Sequence, residues 1–97
     1  MVLYPIAIEA GDENRAARIV VPDLPDCAFA ADYQDDILTL AREAIGQWIA
    51  KTAAAGHAIP APSAIDEVAA RPEFAGRMVT GVEIDLGQDV SFSTNIQ

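Results

Sequence analysis

Alternating apolar and polar positions open the chain and predict a β-hairpin. The period of two runs through residues 2–9, which form the first predicted strand. Gly, Asp, Glu and Asn at positions 11–14 tolerate tight or left-handed backbone, so a turn is expected there. Residues 15–21 then return as a second strand. The residues of the first strand that share one face are Val2, Tyr4, Ile6 and Ile8.

A corner with two prolines follows the second strand, in the segment Val21-Pro22-Asp23-Leu24-Pro25-Asp26-Cys27. Proline fixes φ and has no N–H, so it is a poor member of a central sheet ladder. The second strand must therefore stop here and the chain must turn back. A shorter third strand over residues 27–31 would complete a three-stranded antiparallel meander.

Residues 34–55 carry the clearest helical period in the chain. Asp32 is expected as the N-cap, with Asp35 and Asp36 in the first turn, where carboxylates accept N–H groups and suit the helix dipole. Gly56 is expected to end the helix. The apolar face comprises Ile37, Leu38, Ala41, Ala44, Ile45, Trp48, Ile49 and Thr52.

The second half of the chain predicts a connector, a short helix and a fourth strand. Residues 59–63 read as extended, and Ser63 is expected to cap a short helix over residues 64–70 that Pro72 ends. Residues 77–86 alternate as a strand. The predicted class is α+β: an antiparallel three-stranded meander plus a fourth strand, covered by one long helix and a short second helix.

The charge is strongly negative, at −9, because 15 acidic residues face only 6 Lys and Arg. Nucleic acid requires a basic face, so this chain alone is not expected to bind it. An acidic surface favours fast association with a basic partner, although acidity also simply keeps a small domain soluble. A single cysteine excludes an internal disulfide and fits a reducing cytoplasm, where we expect the protein. Neither a membrane-length apolar run nor a signal peptide is visible.

The residues capable of chemistry have structural explanations. Cys27 is expected to pack as a small apolar residue under the corner, and His57 follows a helix end, where an imidazolium suits the dipole. The carboxylates fall in caps, turns and solvated strand faces. Residual two-metal nuclease chemistry would need them gathered in one cluster. We therefore predict no enzyme, no metal and no cofactor.

These elements, in this order, resemble the HicB antitoxin family over residues 2–86. The resemblance rests on Tyr4-Pro5-Ile6 in the first strand, on the proline corner at 21–27, on Glu43-Ala44 in the long helix and on Pro60-Ala61-Pro62-Ser63. Asp26 stands where the family usually carries Gly. Asp tolerates the left-handed region better than most residues, so Asp26 is expected to take that conformation.

The resemblance implies a partially degenerate ribonuclease-H-like domain without its catalytic cluster. It also implies a partner, a small basic HicA-like ribonuclease that cleaves messenger RNA and whose active site the antitoxin covers. Many members continue into a ribbon-helix-helix or helix-turn-helix that binds the operator of their own operon. Residues 87–97 resemble a turn and the first strand of such a reader. We expect a fragment, the alternatives being a member without that reader or a frayed tail.

Specific residues follow from this reading. Asp12, Glu13, Asp23 and Asp26 are expected as acidic rim residues toward the toxin, with Tyr33 and Phe29 as apolar anchors, although Phe29 also suits the core. A homodimer or higher homo-oligomer is expected. The alternative function is a small oligomeric regulatory or ligand-binding domain of the same fold, without a toxin. The predicted oligomer strand comprises Val90, Phe92, Thr94 and Ile96.

Overall fold

The fold is built on a four-stranded antiparallel sheet, which confirms the predicted α+β class. The structure is a computed structural model, and it describes residues 2–32, residues 36–85 and the backbone of residues 92–93. The strands are β1 (Val2–Glu9), β2 (Ala17–Val20), β3 (Ala28–Ala31) and β5 (Met78–Ile84), in the spatial order β3-β2-β1-β5. The first three form the predicted meander, and β5 joins the other side of β1.

The hairpin between β1 and β2 differs from the prediction in two ways. The chain reverses within a tighter turn than residues 11–14, and β2 is shorter than the predicted residues 15–21. Asp12 and Arg15 already form an isolated bridge within the turn. A Cβ atom at Gly11 would overlap the backbone of Arg15 and Ala17, so only glycine allows the two chain segments to approach this closely. The hairpin therefore closes before the regular ladder of β2 begins.

One face of the sheet carries the main core, beneath helix α1 (Ile37–Ala54). Register places Tyr4 opposite Val82 and Ile8 opposite Ile19 on this face, as the period of two predicted. Burial of these side chains against α1 is the main source of stability. The buried members of this core from β1, β2, β5 and α1 include Tyr4, Ile6, Ile19, Val82, Ile84, Ala41, Ile45 and Ile49.

The start of α1 differs from the prediction. Asp36, not Asp32, is the N-cap, and its carboxylate accepts hydrogen bonds from the Thr39 N–H at 3.3 Å and the Thr39 hydroxyl at 2.7 Å. These bonds lower the pKa of Asp36. Several aspartates in a row offered equal caps, and Thr39 at the third helical position gives Asp36 an additional donor. The predicted end is confirmed, because Gly56 follows the C-cap Ala55 with φ of 81°.

The opposite face of the sheet carries a second, smaller cluster, in which Val68 and Phe74 pack on Ala7 of β1. Val68 belongs to α2 (Ile65–Ala69), and Phe74 to a 3₁₀ turn (Pro72–Phe74) that the sequence analysis did not predict. Ser63 is not the cap of α2. The N-cap is Ala64, which makes no side-chain cap bond.

The connector is more than an extended link. Ile59–Pro60 forms a two-residue strand, β4, which pairs in parallel with β6 (Phe92–Ser93). Of the predicted oligomer strand, Phe92 belongs to β6, whereas Val90, Thr94 and Ile96 lie outside the described residues, as does Leu86 of the predicted fourth strand. No helix within the described ranges is long and apolar enough to cross a membrane.

Candidate functional site

The proline corner is a compact loop held by its own backbone. The N–H of Val21 donates to the carbonyl of Cys27 at 2.9 Å, and the N–H groups of Leu24 and Cys27 donate to the carbonyls of Val21 and Leu24, both at 3.1 Å. Asp26 has φ of 62°, which confirms its predicted left-handed conformation. The corner is thus a defined surface feature.

Three side-chain hydrogen bonds connect the corner region with distant segments. The Asp23 carboxylate accepts the backbone N–H of Ser63 at 2.8 Å and its hydroxyl at 2.6 Å. The indole N–H of Trp48 donates to the carbonyl of Pro25 at 3.0 Å. These bonds fix the corner to both the connector and α1, so its outer surface is preorganised.

A further side-chain hydrogen bond lies beneath the connector. The hydroxyl of Tyr4, whose side chain is fully buried, donates to the carbonyl of Pro60 at 2.7 Å. Burial, and to a smaller extent the nearby charge of Asp23, raises the pKa of Tyr4 to about 12. Tyr4 therefore stays protonated, as a hydrogen-bond donor, throughout the neutral range.

Cys27 lies under the corner as predicted. Its side chain is buried, and this burial raises the pKa of the thiol. A thiol with a raised pKa is a poor nucleophile at neutral pH. The residue therefore acts as apolar filling for the loop.

Two concave surfaces flank the corner. The first, which we call the helix-side groove, has a volume of about 530 Å³ and lies between the corner and α1, with Trp48 and Lys51 among its lining residues. The second, the sheet-side groove, has a volume of about 380 Å³ and is lined partly by Phe74 and Arg77. Asp26, Cys27 and Ala28 line both. The corner is therefore a ridge between two hollows, a shape suited to contact with another protein.

The predicted acidic rim is divided between the two ends of the sheet. Asp12 and Glu13 are exposed in the β1–β2 turn, where Asp12 also accepts the N–H of Asn14 at 2.8 Å. Asp23 and Asp26 belong to the corner, at the other end of β2. Residues 14–22 separate the two pairs, and the part that runs along the sheet, from Arg15 to Val21, corresponds to about 20 Å of extended chain. The structure therefore does not bring the four carboxylates together as one cluster.

The remaining candidate residues lie against the core, beyond the end of α1 or outside the described residues. Phe29 is half-buried and packs against the main core, in agreement with its alternative assignment. His57 is exposed just beyond α1, and its backbone N–H donates to the Thr52 carbonyl at 3.1 Å. Tyr33 lies outside the described residues. Within the ranges that are described, no three His, Cys, Asp or Glu side chains are grouped as metal ligands would be.

Sequence reasoning missed two residues that shape this surface. Trp48 was assigned only to the apolar helix face, although its half-buried ring also donates to the corner and lines the helix-side groove. An indole at the edge of an apolar stripe was the available signal, since its N–H needs an acceptor. For Ser63 the sequence offered a local cap, and nothing local indicated Asp23.

The architecture is a small α+β domain with a firmly held corner on a helix-covered sheet. Comparison with known proteins identifies its family. The model of the HicB-like antitoxins of bacterial toxin-antitoxin systems matches residues 4–96. The chain therefore belongs to the HicB-like antitoxin family.

Solved structures agree with this assignment. The chain is 27% identical to the Burkholderia pseudomallei antitoxin HicB, with a TM-score of 0.78 that covers all of this chain and 75% of that one. It is 29% identical to a chain in a HicA3–HicB3 toxin–antitoxin complex, with a TM-score of 0.73 over 87% of this chain and 99% of that one.

A phage protein is also related in sequence. The uncharacterized 14.9 kDa protein in the rep–hol intergenic region of Haemophilus phage HP1 (strain HP1c1) is 32% identical over 84 residues, 87% of this chain. The match spans 62% of the length of that relative.

Proposed function

We propose that this chain is an antitoxin domain that binds a small, basic, mRNA-cleaving toxin of the HicA kind and occludes its active site. The observation that carries the proposal is the likeness to a chain of the HicA3–HicB3 complex, which this fold matches over nearly that chain's full length. The net charge of −9 supports it, because an acidic protein accelerates association with a basic one.

The proposed contact surface extends from the corner along the sheet. A standard interface covers about 800 Å² on each partner, a patch about 30 Å across. One toxin of ordinary size can therefore contact both the turn with Asp12 and Glu13 and the corner with Asp26. We assign these three exposed carboxylates to the rim of the interface and Tyr33 to an apolar anchor within it. Asp23 contributes by holding the corner in place through Ser63.

The mechanism is steric and electrostatic, without catalysis by this chain. Charge steers the toxin, and desolvated apolar contacts then hold it. Trp48 in the helix-side groove is a suitable anchor, because its aromatic surface is partly exposed beside the ridge. We further propose that the full-length form has a C-terminal DNA reader and regulates its own operon.

Co-expression with the small basic protein encoded beside this gene tests the function. The two proteins should co-purify at moderate salt, and the antitoxin should stop RNA cleavage by the purified toxin at a stoichiometric ratio. Clean separation of the two at moderate salt would contradict the proposal and favour a regulatory domain without a toxin. Metal-dependent RNA cleavage by the isolated chain would contradict the non-catalytic mechanism.

Matched charge variants locate the surface. Asp12→Lys combined with Glu13→Lys should lower the association rate and its salt dependence, because rim charges act mainly on encounter. Asp66→Lys combined with Glu67→Lys changes the net charge by the same amount on α2, on the second face of the sheet. An equal effect of both double variants would show that net charge, and not this rim, steers the toxin.

A further inference from the structure

Strand β6 is attached to the rest of the fold through the connector. Within the described ranges it pairs only with β4, in parallel, with Phe92 opposite Ile59 and Ser93 opposite Pro60. A ladder of two residues in each strand is too short to be stable by itself. Whether β6 stays in place therefore depends on how firmly β4 is held.

Side chains, and not a backbone ladder, hold β4 against the main body of the fold. Neither of its residues belongs to the four-stranded sheet, and Pro60 has no N–H to donate. The Ile59 side chain is fully buried in the main core, and the Pro60 carbonyl accepts the Tyr4 hydroxyl at 2.7 Å. Ser63 donates twice to Asp23. Because three residues span at most about 10 Å, Ser63 also restrains Pro60.

The bond between Ser63 and Asp23 fixes the connector in both position and orientation. One carboxylate oxygen accepts the backbone N–H of Ser63 at 2.8 Å, and the other accepts its hydroxyl at 2.6 Å. Hydrogen bonds to a charged acceptor are stronger than those between neutral groups. This contact is therefore a substantial part of what holds the connector.

Of the three anchors of β4, only this one ends on a surface loop. Ile59 and Tyr4 lie in the main core, so their contacts are lost only when the core itself opens. Asp23 belongs to the proline corner, between two concave surfaces. A protein that binds the corner can therefore change how firmly Asp23 holds Ser63, while the other two anchors stay as they are.

We propose that the proline corner and strand β6 are coupled through the Asp23–Ser63 contact, so that toxin bound at the corner holds β6 on β4. The inference rests on the proposed antitoxin function for the ligand of the corner. In one state β6 lies on β4 and Asp23 holds Ser63; in the other the contact is loosened and β6 has left β4. Toxin favours the first state, because it orders the loop that carries Asp23.

The coupling acts in both directions. By linkage, whatever draws β6 away from β4 weakens toxin binding by the same factor by which toxin stabilises the pairing of β6. The hydrogen bonds that carry the coupling limit its size. Loss of the Ser63 hydroxyl alone should change the equilibrium about fivefold, and loss of the Asp23 carboxylate should change it more.

Amide hydrogen exchange of the full chain without toxin tests the link between the corner and β6. Ser63→Ala should speed exchange of the most protected amide of β6 about fivefold, because it removes one of the two bonds to Asp23. Asp23→Ala, which removes both, should have a larger effect. Ser63→Thr keeps both donors and should exchange at the rate of the natural chain. Equal rates in Asp23→Ala and the natural chain would overturn the proposal.

Thr39→Ala is the matched control. The Asp36 carboxylate accepts the backbone N–H and the hydroxyl of Thr39, the same pair of bonds that Asp23 accepts from Ser63, but at the start of α1. Loss of the Thr39 hydroxyl should leave exchange in β6 unchanged. The amides of β1 report global opening and should follow the urea stability of each variant. An equal increase in β6 with Thr39→Ala would show a general loss of stability and refute the coupling.

Toxin supplies the second readout. With the small basic protein encoded beside this gene at saturation, exchange in β6 should slow about fivefold in the natural chain and in Ser63→Thr, and much less in Asp23→Ala. Equal slowing in Asp23→Ala would mean that toxin protects β6 by direct contact, against the proposal. Absence of toxin binding would instead remove the antitoxin function, and the exchange rates without toxin would still decide whether the corner holds β6.

Discussion

Ser63 holds Asp23 through two hydrogen bonds, one from its backbone N–H at 2.8 Å and one from its hydroxyl at 2.6 Å, across 40 positions of the chain. The carboxylate belongs to the proline corner and the serine to the connector that follows α1. This contact joins two of the segments that carry the family resemblance. It explains why an aspartate and a serine occur in them, although neither the corner nor the connector needs these residues for its local conformation.

The first prediction concerns this contact. Asp23→Ala should lower the free energy of unfolding by about 1–2 kcal/mol, because it leaves the half-buried N–H and hydroxyl of Ser63 without their acceptor. Ser63→Ala should cost less, since the backbone N–H still donates. Urea unfolding measures both variants. A larger loss for Ser63→Ala than for Asp23→Ala would show that the serine has another role.

The second prediction concerns alkaline pH. The pKa of Tyr4 is raised from 10.0 to about 12, so the folded state binds this proton more tightly than the unfolded state does. The resulting stability is fully present below pH 10 and is lost as the pH rises through about 12. Urea midpoints between pH 8 and 11 should fall more steeply for the natural chain than for Tyr4→Phe. Parallel curves would refute a raised pKa.

The third prediction concerns acidic pH. Hydrogen bonds from Thr39 lower the pKa of Asp36 below its ordinary 3.8, so its contribution to stability is present above that value and is lost as the pH falls through the folded-state pKa. Asp36→Asn keeps a good N-cap that does not titrate. The variant should match the natural chain near pH 7 and lose less stability at pH 3. Asp36→Ala, which has no cap, should be less stable at both pH values.

The fourth prediction separates conformation from charge at Asp26, which has φ of 62°. Asp26→Gly should stabilise the fold by up to about 1 kcal/mol, because glycine adopts this region without strain. Asp26→Asn tolerates the same backbone and removes the charge, so it should slow toxin association with little effect on the urea midpoint. Unchanged association with Asp26→Asn would remove this residue from the proposed rim.

Local patterns predicted most of the fold. The period of two assigned β1 and its faces, and the helical period assigned α1 to within a few residues. Gly56 was recognised from its backbone preference at a helix end, and the left-handed conformation of Asp26 was expected because the resembling family usually carries glycine there. These features depend on interactions between neighbours in sequence, which a single chain displays directly.

The predictions that were wrong concern residues whose conformation depends on contacts with segments far away in the sequence. Ser63 was assigned to a helix cap because no local sign of Asp23 exists, and Pro60 was assigned to a plain connector because its strand partner lies more than 30 residues further along. The assignment of four carboxylates to the rim stays a prediction, to which the structure adds that β2 lies between the two pairs. Composition indicates what kind of partner a surface favours, and only the topology says which charges are neighbours.

Gly81 on β5 marks a place where three positions depend on one another. A methyl group there would come within 2.7 Å of both the Ile65 Cδ1 and the Leu3 Cγ, so a larger residue requires both neighbours to move. Among related chains, we expect these three positions to vary together: a side chain at 81 should accompany smaller residues at 3 and 65. An alignment of the family should show this covariation, because the three residues pack α2 against the sheet.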